Sequence, residues 1–153
     1  MKRLLLLILL LSASSVVSSQ SKDSEQTEAV KKVINQLFDG MRKGDSSMVS
    51  STFAKGMIMQ TIANREGKVV VQSSQPTGFL KSIATPHYEM YDERITFDQI
   101  LIDADLASVW TSYKFYVGDK FSHCGVNSFQ LVKQGGGWKI VYLIDTRRKE
   151  RCN

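Results

Sequence analysis

The chain is poor in the residues that usually announce a reaction: its 153 positions hold two cysteines, two histidines and two prolines. No CxxC or HxxxH spacing occurs, and His123 and Cys124, adjacent in a strand-like run, point to opposite faces, so no metal site is expected. No glycine-rich phosphate loop, nucleophile elbow, zinc motif or dinucleotide fingerprint is present, which argues against hydrolase and nucleotide-dependent chemistry, and no cofactor is expected. His87, beside Pro86 in a loop-like stretch, is assigned no role.

Long apolar runs are also scarce. Leu4 to Leu11 follows the basic start Met1-Lys2-Arg3 and precedes the small-residue stretch Ser12 to Ser19, the pattern of a secretory signal peptide over residues 1–19. Eight residues of helix reach about 12 Å against roughly 30 Å of bilayer hydrocarbon, so a signal cleaved near Ser19-Gln20 is expected, not a membrane span. No cysteine follows the run to carry a lipid. The expected product is exported, periplasmic or secreted.

Removing residues 1–19 leaves 134 residues, enough for one domain with its own core, and lowers the formal charge from +5 to +3. So mild an excess does not call for nucleic acid, and Arg147, Arg148, Lys149 and Arg151 read as a solvated strand end and tail. Cys124 and Cys152 make an even pair in an oxidising compartment, either bridged or both free. A bridge requires the tail to fold back, because Cys124 falls opposite about Arg148 in the expected register.

Residues 20–24 read as a flexible lead-in, and the single domain as residues 25–153. Ser24 is a candidate cap for a helix whose apolar face is Val30, Val33, Ile34, Leu37, Phe38 and Met41, ended by Gly44. Asp45 can cap a second helix through about Phe53, burying Met48, Val49 and Phe53. Met57 to Ala63 and Lys68 to Gln72 form a strand pair turned at 64–67. A third helix, capped by Ser74 or Thr77 with Pro76 in its first turn, buries Phe79, Leu80 and Ile83 and closes at Pro86. Tyr88 to Ile102 is strand-like and Asp103-Ala104-Asp105 a turn. The last third then gives three strands joined at Gly118-Asp119 and Gly135-Gly136-Gly137.

Helices first and strands grouped after them indicate an α+β layer structure. This order resembles the nuclear transport factor 2-like superfamily over about Glu25 to Arg148. HCGVNSFQLVK, the GGGWKI turn and strand, and the YLIDTRR ending are similar to its exported bacterial branch labelled lumazine-binding. The resemblance implies a cone-like curved sheet, mixed or antiparallel, wrapped on three helices, with a ligand pocket between them. It also implies kinship with SnoaL-like cyclases, ketosteroid isomerase and scytalone dehydratase, and homodimerisation through the sheet.

If the last hairpin turns about Gly136, Asn127 faces Asp145, Phe129 faces Leu143 and Leu131 faces Val141, with His123 on the same side. A turn at Gly118-Asp119 adds Trp110, Ser112 and Tyr116, although a one-residue slip would reverse that strand. Trp110, Tyr116, His123, Asn127 and Asp145 are therefore the expected ligand-binding residues. The opposite face would carry Val109, Thr111, Tyr113, Phe115, Val126, Trp138, Ile140, Tyr142 and Ile144, apolar enough to seat a second subunit.

Three readings follow. The first is an exported protein holding a small, aromatic or amphipathic molecule in its pocket without turnover. The second is a cofactor-independent lyase, isomerase or cyclase with Asp145 and His123 as acid and base; against it, Asp145 could merely pair with Arg147 or Asn127, and His123 could be structural. The third is a non-catalytic interaction module using the sheet face.

Overall fold

The computed structural model describes the backbone of residues 2–152 and the side chains of residues 23–152. The side chains of the expected leader, residues 1–19, lie outside that range. In chain order the described residues form α1 (Lys2–Lys43), α2 (Ser46–Ser50), β1 (Phe53–Arg65), β2 (Lys68–Ser74), α3 (Pro76–Ala84), β3 (Tyr91–Asp103), β4 (Leu106–Val117), β5 (Lys120–Gln134) and β6 (Gly137–Thr146). No helix among the described residues is long and apolar enough to cross a membrane.

Ser24 lies inside α1, not at its cap. The expected apolar stripe holds: Val30, Ile34, Leu37, Phe38 and Met41 are buried. Gly44 ends the helix with φ of 66°, where the Asp45 amide donates back to the Gly40 carbonyl at 2.8 Å. The Asp45 side chain then accepts from the Met48 amide at 2.8 Å, starting α2. This helix stops at Ser50, and Phe53 opens β1 instead of closing the helix. Gln75 stands at the α3 cap without a side-chain bond, so neither Ser74 nor Thr77 caps it, and Pro76 takes the first helical position.

The strands form one curved sheet in the order β2-β1-β6-β5-β4-β3. Every pairing is antiparallel except β1 with β6, which is parallel, so the sheet is mixed. α1 packs on β3 and β6, and α3 on β1. Between helices and sheet lies the core, with Val109, Phe129, Leu131, Trp138 and Ile140 from the strands meeting Ile34, Leu37 and Phe38 from α1. The Phe38 and Phe129 rings meet edge to face at 6.2 Å.

Two bulges decide which side chains face this core. The β5–β6 hairpin turns on Gly135-Gly136, both at positive φ, pairing Gln134 with Gly137, and a register shift between Gln130 and Leu131 leaves Val141 unpaired. Asn127 opposite Asp145 and Phe129 opposite Leu143 agree with the symmetric turn. Leu131 faces Ile140, not Val141, and Trp138 and Ile140 belong to the core, not to the outer face. In β4–β5 the shift falls between Phe115 and Tyr116, leaving Ser122 unpaired, so His123 lies opposite Phe115 and Asn127 opposite Thr111. That single slip turns Val109, Thr111, Tyr113 and Phe115 inward. It turns Trp110 and Ser112 outward.

Cys124 and Cys152 are bridged, with Cα atoms 5.8 Å apart. The tail reaches back because Arg151 adopts φ of 54°, and Cys124 and Arg148 exchange main-chain hydrogen bonds of 2.9 and 2.8 Å.

Candidate functional site

The pleat places one polar row across the concave face: Thr61 on β1, Asp145 on β6, Asn127 on β5 and Thr111 on β4 are successive cross-strand partners. The next row towards the β5–β6 turn is apolar: Met59, Leu143, Phe129 and Val109. α1 and α3 cover both rows and leave a cavity of about 370 Å³. Its apolar walls are Leu37, Phe38, Met41, Met59, Phe79 and Leu143, and its polar end is Thr61, Glu93, Asn127, Asp145 and Arg147, with Gln75 at the start of α3. A volume of that size matches sites for small organic ligands.

Two hydrogen-bonded groups build the polar end. In the first, Asn127 Nδ2 donates to Glu93 Oε1 at 2.8 Å and to Thr111 Oγ1 at 3.3 Å. Glu93 lines the cavity and keeps part of its surface accessible there, yet the protein around it strips its carboxyl of water. Burial pushes the Glu93 pKa up to about 7, with the Asp145 charge adding to the rise and the Asn127 bond and Arg147 opposing it. In the second group, Arg147 Nε donates to Asp145 Oδ2 at 2.9 Å, and a longer contact of 3.5 Å joins Arg147 to Thr61 Oγ1. The Tyr113 hydroxyl donates to the Thr146 carbonyl at 2.8 Å and reaches Asp145 Oδ2 at 3.3 Å. Burial, then the charges of Asp145 and Glu93, hold the Tyr113 phenol well above its usual pKa, so it stays a donor.

Of the residues expected at the site, Asn127 and Asp145 line the cavity and His123, Trp110 and Tyr116 do not. Trp110 stands on the outer face, 48% exposed. Tyr116 packs edge-on against Phe121 and under the Arg94 guanidinium, 4.2 Å from its ring centroid. His123 is held by the Tyr113 and Phe115 rings at 5.7 and 5.0 Å and by Ser122 Oγ at 3.0 Å from Nδ1. Its pKa lies below the usual value because burial and the Arg147 and Lys149 charges oppose protonation, with Asp145 pulling the other way. The partner of Asp145 is therefore Arg147, and the carboxyl poised near neutrality is Glu93. Glu93 shares parity with Ile95 and Phe97 in its strand, a carboxyl on an apolar face, and that alternation was the available signal. No cluster among the described residues could hold a metal ion.

Comparison with known proteins agrees with this architecture. The model of the family described as "Putative lumazine-binding" matches residues 25–143. No curated protein matches the chain. An NTF2-like protein of unknown function from Shewanella baltica superposes with a TM-score of 0.66 at 17% identity, over 83% of this chain and 97% of that one. An NTF2-like protein with a cystatin-like fold from Novosphingobium aromaticivorans gives 0.68 at 10% identity, over 88% and 89% of the two chains. A protein from Streptomyces avermitilis described as a "putative dehydratase from the NTF2-like family" gives 0.59 at 16% identity, over 82% and 97%. At such identities the likeness is one of fold.

Proposed function

Since the chain belongs to the lumazine-binding family of the nuclear transport factor 2-like superfamily, we propose that it is an exported protein that holds a small amphipathic or flat heteroaromatic molecule in the cavity between sheet and helices. The observation that carries this reading is the cavity itself: about 370 Å³, apolar along α1 and α3, and closed at one end by Glu93, Asn127, Asp145 and Arg147. The walls supply affinity by excluding water, and the polar end supplies orientation through paired donors and acceptors. The family description names lumazine, a heteroaromatic ring with carbonyl and N–H edges. Such an edge suits a row that offers the Arg147 guanidinium, a carboxylate and a carboxyl near its pKa.

The test is thermal unfolding across a panel of flat heteroaromatic and amphipathic compounds, lumazine included. A ligand present at a hundredfold excess over its Kd raises stability by about 2.7 kcal/mol. Stabilisation by a panel member that disappears in Asp145→Asn supports the reading. Unchanged melting across the whole panel overturns it.

A second reading, a lyase, isomerase or cyclase without a cofactor, gains one specific support. Glu93, at about 7, can both give and take a proton at neutral pH, while Arg147 fixes Asp145 beside it. In this form the acid/base pair is Glu93 with Asp145, and His123 drops out because it lies outside the cavity.

The chain is also proposed to pair with a second copy through the outer sheet face. Ile58, Tyr142, Gln130, Ser108 and Leu101 are successive partners across five strands, with Gln60, Ile144, Ser128, Trp110 and Gln99 as the adjacent row. Ile58 and Leu101 are 54% and 57% exposed and Trp110 stands between their ends of the sheet, so the face retains apolar surface for a partner.

A further inference from the structure

Arg147 lines a second hollow as well as the cavity. With Ser122, His123, Arg148 and Lys149 it lines an open depression of about 400 Å³ at the end of β6. Three of the five lining residues are basic, and only Arg147 has a carboxylate partner, Asp145 at 2.9 Å. Among the described residues no carboxylate lies within ion-pair distance of Arg148 or Lys149, not even the neighbouring Glu150. The Arg148 Nε instead donates to the Arg151 carbonyl at 3.2 Å. His123 shares its Nδ1 with Ser122 Oγ at 3.0 Å, which leaves Nε2 for a ligand.

This part of the tail is held in place twice. Cys124 and Arg148 exchange two main-chain hydrogen bonds, and the Cys124–Cys152 bridge closes the tail over the same strand. Side chains carried on a fixed backbone lose less freedom when they close on a ligand, which favours a site over a loose solvated run. Residues 147–151 are exposed, as a solvated strand end would be, and the hollow adds that three of their cations converge on one concave surface.

We propose that this hollow binds an oxyanion, phosphate or carboxylate, carried by the same molecule whose apolar body fills the cavity, with Arg147 shared between the two. The inference rests on the cavity-binding reading above. Arg148 and Lys149 supply unopposed charge, and a protonated His123 donates Nδ1–H to Ser122 Oγ, which frees the Ser122 hydroxyl and the His123 Nε2–H to donate to the anion. Burial and then the Arg147 and Lys149 charges hold the His123 pKa down, and an anion in the hollow would offset those charges, so occupancy has a direct spectroscopic readout.

The experiment follows the His123 imidazole by NMR as pH is varied, with His87 as internal control, at constant ionic strength in chloride, inorganic phosphate, octyl phosphate below its micelle concentration, or octyl glucoside. Inorganic phosphate is expected to raise the His123 pKa by about half a unit or more while leaving His87 unmoved. Octyl phosphate should do so at a concentration at least about tenfold lower, because its chain adds cavity burial. Arg148→Gln with Lys149→Gln should lose both responses without altering thermal unfolding. If neither anion moves His123, the proposal is overturned. If phosphate and octyl phosphate act at equal concentration, the hollow takes a free oxyanion and the shared-ligand proposal is overturned. Octyl glucoside, read from Met59 and Leu143 methyl shifts, reports on the cavity alone, so failure there and failure at the hollow are separable.

Discussion

Asn127 on β5 donates its side-chain amide to Glu93 on β3 across 2.8 Å, joining two residues 34 positions apart beneath α1 and α3. The bond favours the charged form of Glu93 against the burial that disfavours it. Asn127→Leu keeps the branched shape and removes the donor. The Glu93 pKa is expected to climb above about 7, read from side-chain carboxyl NMR with Glu93→Gln as the assignment control. Loss of the donor should also cost about 1–3 kcal/mol in urea unfolding. A Glu93 pKa that stays put or falls contradicts the arrangement.

Glu93 also fixes a stability slope. Its folded pKa of about 7 lies above its ordinary 4.5, so the native state holds a proton that the unfolded chain releases between those two values. Stability from this group is fully present below about 4.5 and is lost as pH rises through about 7. The full effect is at most about 3 kcal/mol. Glu93→Gln should therefore match the parent near pH 4 and exceed it near pH 8, measured by urea unfolding at both. A variant less stable than the parent at pH 8 is the result that excludes this account.

The helices and their apolar faces were legible because period 3.6 is a local property: Val30, Ile34, Leu37 and Met41 declare α1 with no knowledge of the sheet. The faces of β4 and β6 were not, because parity counted from a turn survives only until the first bulge. Ser122 and Val141 look like ordinary strand residues, yet each leaves the ladder and shifts one stretch by one position. Asn127 opposite Asp145 came out right because the two-residue turn at Gly135-Gly136 and the bulge at Val141 together equal the symmetric turn assumed. Glu93 was missed because β3 could not be registered against the ribbon, and the flanking Asp92 and Arg94 make its surroundings look solvated. Asp92 is in fact buried, held by Arg42 at 2.9 Å and Arg94 at 2.7 Å.

Gly125 lies opposite Tyr113, and a Cβ built there would stand 1.8 Å from the Thr146 carbonyl oxygen and 2.7 Å from the Tyr113 ring. The bare backbone lets that ring lie flat enough for its hydroxyl to reach Thr146 and Asp145. Gly125→Ala must move main chain, not a flexible side chain. A loss of about 3 kcal/mol or more in unfolding free energy is expected, since even ordinary overpacking costs about 1–3 kcal/mol. Tolerance within about 0.5 kcal/mol would be incompatible with this packing.

The Cys124–Cys152 bridge closes a loop with a sequence separation of 28, worth about 3.5 kcal/mol in the chain-entropy model. Cys152→Ser should lower unfolding free energy by about that amount. Because the Cys124–Arg148 hydrogen bonds persist without sulfur, amide exchange should accelerate more at Arg151 than at Arg148. Equal acceleration at both would mean that the bridge alone pins the strand end.

The two tryptophans report on opposite sides of the sheet. Trp138 is 3% exposed and its indole N–H donates to Gln26 Oε1 at 3.3 Å, whereas Trp110 is 48% exposed on the outer face. Iodide should quench the Trp110 emission of a dilute monomer and leave Trp138 untouched, with Trp110→Phe removing the quenched fraction. If the outer face pairs with a second copy, raising the protein concentration should shield Trp110 in step with the appearance of a dimer in sedimentation. Replacing Leu101 with Lys should abolish both changes, because it puts a charge on the row that runs from Ile58 to Leu101. A dimer that forms while Trp110 remains quenchable would assign the contact to a different surface.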